Sequence, residues 1–146
     1  MKTIAWGGFF LLFFHTLPAS AEPTIEVFTN EHYPVAGAES LRGRGIAVEL
    51  YDLDAPKRWA AKMSQGLPGR REQAKAIVDS RFAQIGLEQV KENLKAAYQG
   101  LVKASGYGLQ RYPAIVFDHG KSVVYGVQDL SRALSIYQQQ NPGPHE

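Results

Sequence analysis

"RYPAIVFDHGKSVVYGV", residues 111 to 127, decides what kind of fold this chain adopts. Pro113 lacks an N–H and suits the position just ahead of a strand better than one inside a central strand. Ala114 to Phe117 is an apolar run of strand length. "DHGK" (118–121) reads as a tight turn with Gly120 at its most demanding position, and Ser122 to Val127 reads as the returning strand. The segment is a β-hairpin, so its remaining sheet partners come from upstream.

Two upstream segments fit. In "TIEVFT" (24–29), Ile25, Val27 and Thr29 alternate with Glu26 and Phe28. In "IAVELYDLD" (46–54), Ile46, Val48, Leu50 and Asp52 share one face, and Ala47, Glu49 and Tyr51 the other. Period-two alternation with β-branched residues indicates strands. Between them, "AGAESLRGRG" (36–45) holds a loop and a short, weak helix. Two strands joined by such a crossover are parallel, whereas the hairpin adds antiparallel partners.

Three helical segments fill the middle. "APKRWAAKMSQGLPG" (55–69) has Pro56 in its first turn, and Gly66, Pro68 and Gly69 end it. In 70–86, Ala74, Ile77, Val78, Phe82 and Ile85 form an apolar stripe expected to face the core. In 87–108 the expected stripe is Leu87, Val90, Leu94, Ala97, Tyr98 and Leu101. Asp129 is placed to cap a last helix, along which Leu130, Ala133, Leu134 and Tyr137 share one side. The expected fold class is α/β (α+β), a mixed four-stranded sheet flanked by helices.

The beginning of the chain reads as a leader. Lys2 precedes the apolar run Ile4 to Phe14, and Ala19-Ser20-Ala21 is a small-x-small cleavage pattern. The expected organisation is a signal peptide over 1–21, one domain over 22–139, and a tail without fixed structure over 140–146. Once the leader is removed, 15 Lys and Arg face 14 Asp and Glu, because Lys2 is its one basic residue. Near neutrality gives no basic stripe for nucleic acid. No stable membrane span is expected after cleavage, and the expected location is the periplasm of a Gram-negative cell. The sequence has no cysteine. Disulfide staples and thiolate chemistry are therefore both excluded.

The order of elements, with a proline opening the third strand, resembles the thioredoxin fold. In that family a cis-proline ahead of the third strand faces a Cys-x-x-Cys loop; the resemblance implies a cis Tyr112–Pro113 bond. "YPVA" (33–36) then takes the Cys-x-x-Cys positions, with Tyr33 and Ala36 in place of the sulfurs. The family's redox activity does not carry over.

A narrower resemblance covers nearly all of the chain beyond the leader. "TIEVFTNEHYPV", "IAVELYDLDAPKRW", "LPGRREQAKAIVDSR" and "RYPAIVFDHGKSVVYGVQDLSRAL" are together similar to an uncharacterised family of small exported proteins. That family is encoded on integrating conjugative elements, among genes of a type IV secretion apparatus. The resemblance implies a non-enzymatic accessory or assembly protein whose partners are other components of that apparatus. The alternatives are a small-ligand or metal-binding protein, or a divergent redox-fold enzyme.

Candidate sites are few. The thioredoxin resemblance implies that Tyr33 and Tyr112 flank the groove where redox members of that family hold a substrate peptide; with Pro34 and Pro113 they form the candidate partner groove. Tyr107 is a third tyrosine in the same aromatic set. Amphipathic aromatics beside prolines suit a peptide surface. Glu31-His32 and Asp118-His119 are acid–histidine neighbours, read as solvent-facing turn residues because adjacent side chains on an extended segment diverge. "RGRG" (42–45) has the glycines and charge of an anion nest but reads better as a solvated link. No catalytic residue, cofactor or metal site is expected.

Overall fold

The computed structural model describes residues 22–142. The expected signal peptide (1–21) and the end of the tail (143–146) lie outside the described residues. The elements are β1 (Ile25–Thr29), α1 (Ala38–Gly43), β2 (Val48–Asp52), α2 (Ala55–Ser64), α3 (Arg71–Ile85), α4 (Leu87–Gly106), β3 (Ala114–Phe117), β4 (Ser122–Tyr125) and α5 (Leu130–Gln140), with a 3-10 turn over Asp118–Gly120 between β3 and β4. The last helix takes in Gln140, one residue past the boundary expected for the domain.

The sheet has the order β2-β1-β3-β4. β1 and β2 are parallel, with Val27 opposite Leu50. β3 runs antiparallel to β1 and β4 antiparallel to β3, so Val27 also faces Ile115, and Ile115 faces Val124. The mixed four-stranded α/β sheet is the expected fold class, and its order is compatible with the thioredoxin resemblance. The Tyr112–Pro113 bond is cis, as that resemblance implies.

Helices cover both faces. On one, Ile25, Val27, Val48, Ile115, Phe117 and Val124 pack against Ala38 and Leu41 of α1 and Leu130, Ala133 and Leu134 of α5. The other carries Phe28, Tyr51, Ala114 and Val116 beneath Ala104 of α4, with Tyr107 and Tyr112 packed at the margin. Double coverage explains the first departure from the sequence reading. Glu26 and Phe28, which alternation would leave on an open face, are buried at 2% and 0% exposure. A central strand covered on both sides has no solvent face. β2 is an edge strand and shorter than the 46–54 run; Tyr51 is buried while Leu50 is 48% exposed.

The helix stripes also differ from expectation. On α4 Val90 and Ala97 are buried as expected and Gly100 and Ala104 join them, whereas Leu87 is 67% and Tyr98 47% exposed. Small residues win this contact because they allow close approach. A Cβ at Gly100 would lie 3.1 Å from the Tyr51 Cβ. On α3 no residue is buried. It forms a third layer, resting on α2 and α4 with Phe82 beside Trp59 (ring centroids 6.0 Å apart). Arg81 of α3 donates to the Met63 and Gln65 carbonyls at 2.5 and 2.7 Å, satisfying acceptors at the end of α2. The cap on α5 is the expected one, with the Arg132 N–H donating to Asp129 Oδ1 at 2.8 Å.

The hairpin turn asks more of its residues than one glycine. Asp118, His119 and Gly120 all have positive φ, at 48°, 55° and 98°. Two non-glycine residues in the left-handed region cost roughly 1–2 kcal/mol each, and tertiary bonds hold them there. The Asp118 N–H donates to the Thr24 carbonyl at 3.0 Å. Its carboxylate accepts from the Thr24 N–H at 3.3 Å and from the Tyr137 hydroxyl at 2.5 Å.

Candidate functional site

The two ends of the sheet differ in chemistry. At the end where β1 finishes and β3 begins lie the four candidate groove residues. Tyr33 is 47% exposed and Pro34 is exposed beside it, whereas Tyr112 is half-buried and Pro113 is buried. The loop carrying Tyr33 and Pro34 is tightly held. The Asn30 side chain accepts from the N–H groups of His32 and Tyr33 at 3.1 and 3.2 Å. The Thr29 hydroxyl donates to the Tyr33 carbonyl, and Gln128 donates to the Pro34 carbonyl at 3.2 Å. Ala36 bridges to the segment before α5, with its N–H on the Gln128 carbonyl at 2.8 Å.

The same loop presents a feature that pairwise sequence reading missed. Glu31 and His32 sit in a turn rather than an extended segment, so their side chains converge: His32 Nδ1 lies 4.0 Å from Glu31 Oε1. Asp54, at the start of α2, completes the group, with one ligand atom from each of the three within 4.8 Å of the others. The Glu31 N–H donates to Asp54 Oδ2 at 3.1 Å, tying the two loops together. Asp54 is twenty-three positions away, a separation at which sequence reading has no signal.

The opposite end of the sheet holds a buried polar network. Glu26 Oε1 accepts from the Lys103 ammonium and Oε2 from the Tyr107 hydroxyl, the latter at 2.5 Å. His119 Nδ1 stands 3.9 Å from Oε2. Lys103 also reaches Glu49 at 3.4 Å and lies over the Tyr51 ring, 4.7 Å from its centroid. The Tyr51 hydroxyl donates to Glu49. The hydrogen bond to Glu26 holds Lys103 well above the ordinary lysine range, and the same carboxylate raises Tyr107. Burial, then the Glu49 bond, raises Tyr51; that bond in turn lowers Glu49. Among the described residues no buried side-chain polar atom lacks a partner. Both oxygens of Glu26 are committed, so its role is to anchor α4 to β1.

Tyr107 therefore belongs to this network and not to the groove end. A signal for it existed in the sequence. Phe28 shares a strand face with Glu26, so that face is covered, and Lys103 and Tyr107 stand one helical turn apart to meet the acid. Asp118 and His119 lie at this same end, opposite the Glu31–His32 loop. The "RGRG" segment is a link: Arg42 pairs with Glu39 at 2.7 Å and donates to the Val48 carbonyl, pinning α1 to β2.

The fold and these two ends define a cysteine-free α/β protein with a buried acid network and one exposed, well-held loop. Residues 22–141 match the family described as "Protein of unknown function (DUF1525)", and the chain belongs to that family. No curated protein and no solved structure matches it. Among the described residues no helix is long and apolar enough to cross a membrane.

Proposed function

We propose that the chain is a non-enzymatic accessory or assembly protein of a conjugative transfer apparatus of the type IV secretion class, encoded on an integrating conjugative element. It acts in the periplasm through protein contacts. The setting rests on the resemblance of four long segments of the chain to exported proteins of such elements, and the export step on the leader pattern of residues 1–21. The observation that carries the contact mechanism is the exposed Tyr33 beside Pro34. It stands on a loop whose backbone is fixed by Asn30, Thr29 and Gln128. A pre-ordered aromatic costs little side-chain entropy on docking and is the kind of residue that dominates interface energy. Where redox relatives hold a substrate beside their sulfurs, this chain has no thiol. Binding is what the arrangement can do.

Tyr33→Ala tests this reading in a donor cell carrying the element. A true hot spot contributes ~2 kcal/mol or more, roughly a thirtyfold loss of affinity. Conjugation frequency is expected to fall while the amount of chain in the osmotic-shock fraction stays constant. Tyr98→Ala, at an exposed tyrosine on α4, serves as the control. Unchanged transfer with Tyr33→Ala removes this loop from the mechanism, and a cytosolic chain removes the setting.

A further inference from the structure

The geometry points to a divalent metal site at Glu31, His32 and Asp54, suited to zinc or a similar borderline ion. The three side chains offer one imidazole nitrogen and two carboxylate oxygens, each within 4.8 Å of the others. Bonds of about 2.0–2.2 Å in a tetrahedral site place ligand atoms about 3.4 Å apart. The spacing is thus open by at most about 1.4 Å relative to that geometry, within reach of torsional changes in exposed side chains. His32 Nδ1 and Glu31 Oε1, at 4.0 Å, are nearer still.

Charge supplies an independent reason for a cation. Glu31 and Asp54 bring two carboxylates together, and among the described residues neither has a Lys or Arg nitrogen within 4.0 Å. The nearby Arg58 is committed to Asp52; its field reaches Asp54 and Glu31 without an ion pair to either. Asp52 is itself occupied, accepting from Arg58 and from the Asp54 N–H at 2.8 Å. The backbone that carries the ligands is already in place. Asn30 holds the turn at His32 and Tyr33, and the Glu31 N–H holds Asp54. Binding therefore orders side chains alone.

Three protein ligands leave at least one coordination position open, for water or for a donor atom from a bound partner. The site adjoins Tyr33, so a bound ion stiffens the loop that presents it. This inference goes beyond the transfer-apparatus reading and stands without it.

The test uses tag-free protein purified from cells expressing the whole 146-residue chain, titrated with zinc chloride by calorimetry. A parallel NMR experiment follows the histidine ring signals. One zinc per chain and movement of the His32 ring signals are expected. His32→Ala and Asp54→Asn should each weaken binding at least about tenfold, the lower end of what even outer-shell changes cost at metal sites. His119→Ala and His145→Ala should leave it unchanged. Absence of heat and of His32 signal movement at millimolar zinc overturns the inference. So does binding that survives His32→Ala, or that is lost with His119→Ala. Circular dichroism of each variant separates lost ligation from lost folding, and Asp54→Asn, which keeps an acceptor for the Glu31 N–H, is the variant that decides.

Discussion

Replacing Tyr107 by Phe removes one hydroxyl and leaves the packing of its ring in place. The ring meets Phe28 edge-on, with centroids 6.0 Å apart at 84°. It also lies against Gly120, where a Cβ would come within 3.0 Å of its Cδ1 and Cε1. Phenylalanine fills that slot equally well. What is lost is the 2.5 Å bond to Glu26 Oε2, made to a carboxylate that is 2% exposed. A hydrogen bond to a charged group contributes about 1.5–3 kcal/mol. Tyr107 itself is half-buried, so water recovers part of the loss, and the lower half of that range applies. The expected destabilisation is ~2 kcal/mol, equivalent to a fall in Tm of roughly 8 °C for a domain of this size.

Urea unfolding at pH 7, followed by far-ultraviolet circular dichroism, measures it. The midpoint should fall with the slope unchanged, since the surface exposed on unfolding is the same. Combining Tyr107→Phe with Lys103→Met gives a further check. Both side chains bind the same carboxylate, so their effects should depart from additivity by about 0.5 kcal/mol or more. A loss below about 0.5 kcal/mol for Tyr107→Phe alone, with additive behaviour in the double variant, would show that Glu26 is solvated in solution. The anchoring role would then be wrong.

Two further outcomes follow from the same end of the sheet. Lys103, Tyr107 and Tyr137 all hold their protons more tightly in the folded chain, through Glu26 for the first two and Asp118 for the third. Groups raised on folding stabilise fully below their unfolded values, about 10–10.4 here, and that contribution is lost as pH rises beyond them; the urea midpoint should hold from pH 8 to 9.5 and fall by pH 11, less steeply in Tyr137→Phe, and an unchanged midpoint at pH 11 contradicts the assignment. Gly120→Ala combines a φ of 98° with a Cβ 3.0 Å from the Tyr107 ring, so a loss of ~2 kcal/mol or more is expected in the same melt, and an unaltered midpoint would mean that the turn readily changes shape.

The sheet was legible because its signals are local. Pro113, the Ala114–Phe117 run and the valines of the return strand sit within seventeen residues and leave few alternatives to a hairpin. Asp129 announced its cap by residue type and position. The helix faces were harder to read, because periodicity gives a stripe without saying what it meets. On α4 the larger apolar residues drew attention to Leu87 and Tyr98. The contact keeps Val90 and Ala97 from the expected stripe and adds Gly100 and Ala104, since a helix laid on a strand at close range needs small side chains. Glu26 was hidden by alternation, which assigns a polar residue to an outer face that this doubly covered sheet does not have. The Glu31–His32–Asp54 group joins two loops and depends on a turn, information that residue types alone do not contain.

The contrast between the two ends bears on where the proposed partner would dock. Around Glu26 the polar groups are bonded within the chain: both carboxylate oxygens are bound, Lys103 is shared between two acids, Tyr107 donates to the buried Glu26, and Tyr51 donates to Glu49 at the surface. A partner docking there would have to break bonds already made, and each one broken in a buried setting carries the cost of an unsatisfied group. At the Tyr33 end hydrogen bonds tie down the loop backbone while its large side chains are exposed. Asn30, Thr29 and Gln128 spend their polar atoms holding the loop, while Tyr33, Glu31 and His32 stand in solvent. Recognition is favoured where a rigid scaffold presents loops with unspent contacts. The fold thus concentrates its internal bonding at one end of the sheet, which leaves the other rigid enough to hold a shape and free enough to be bound.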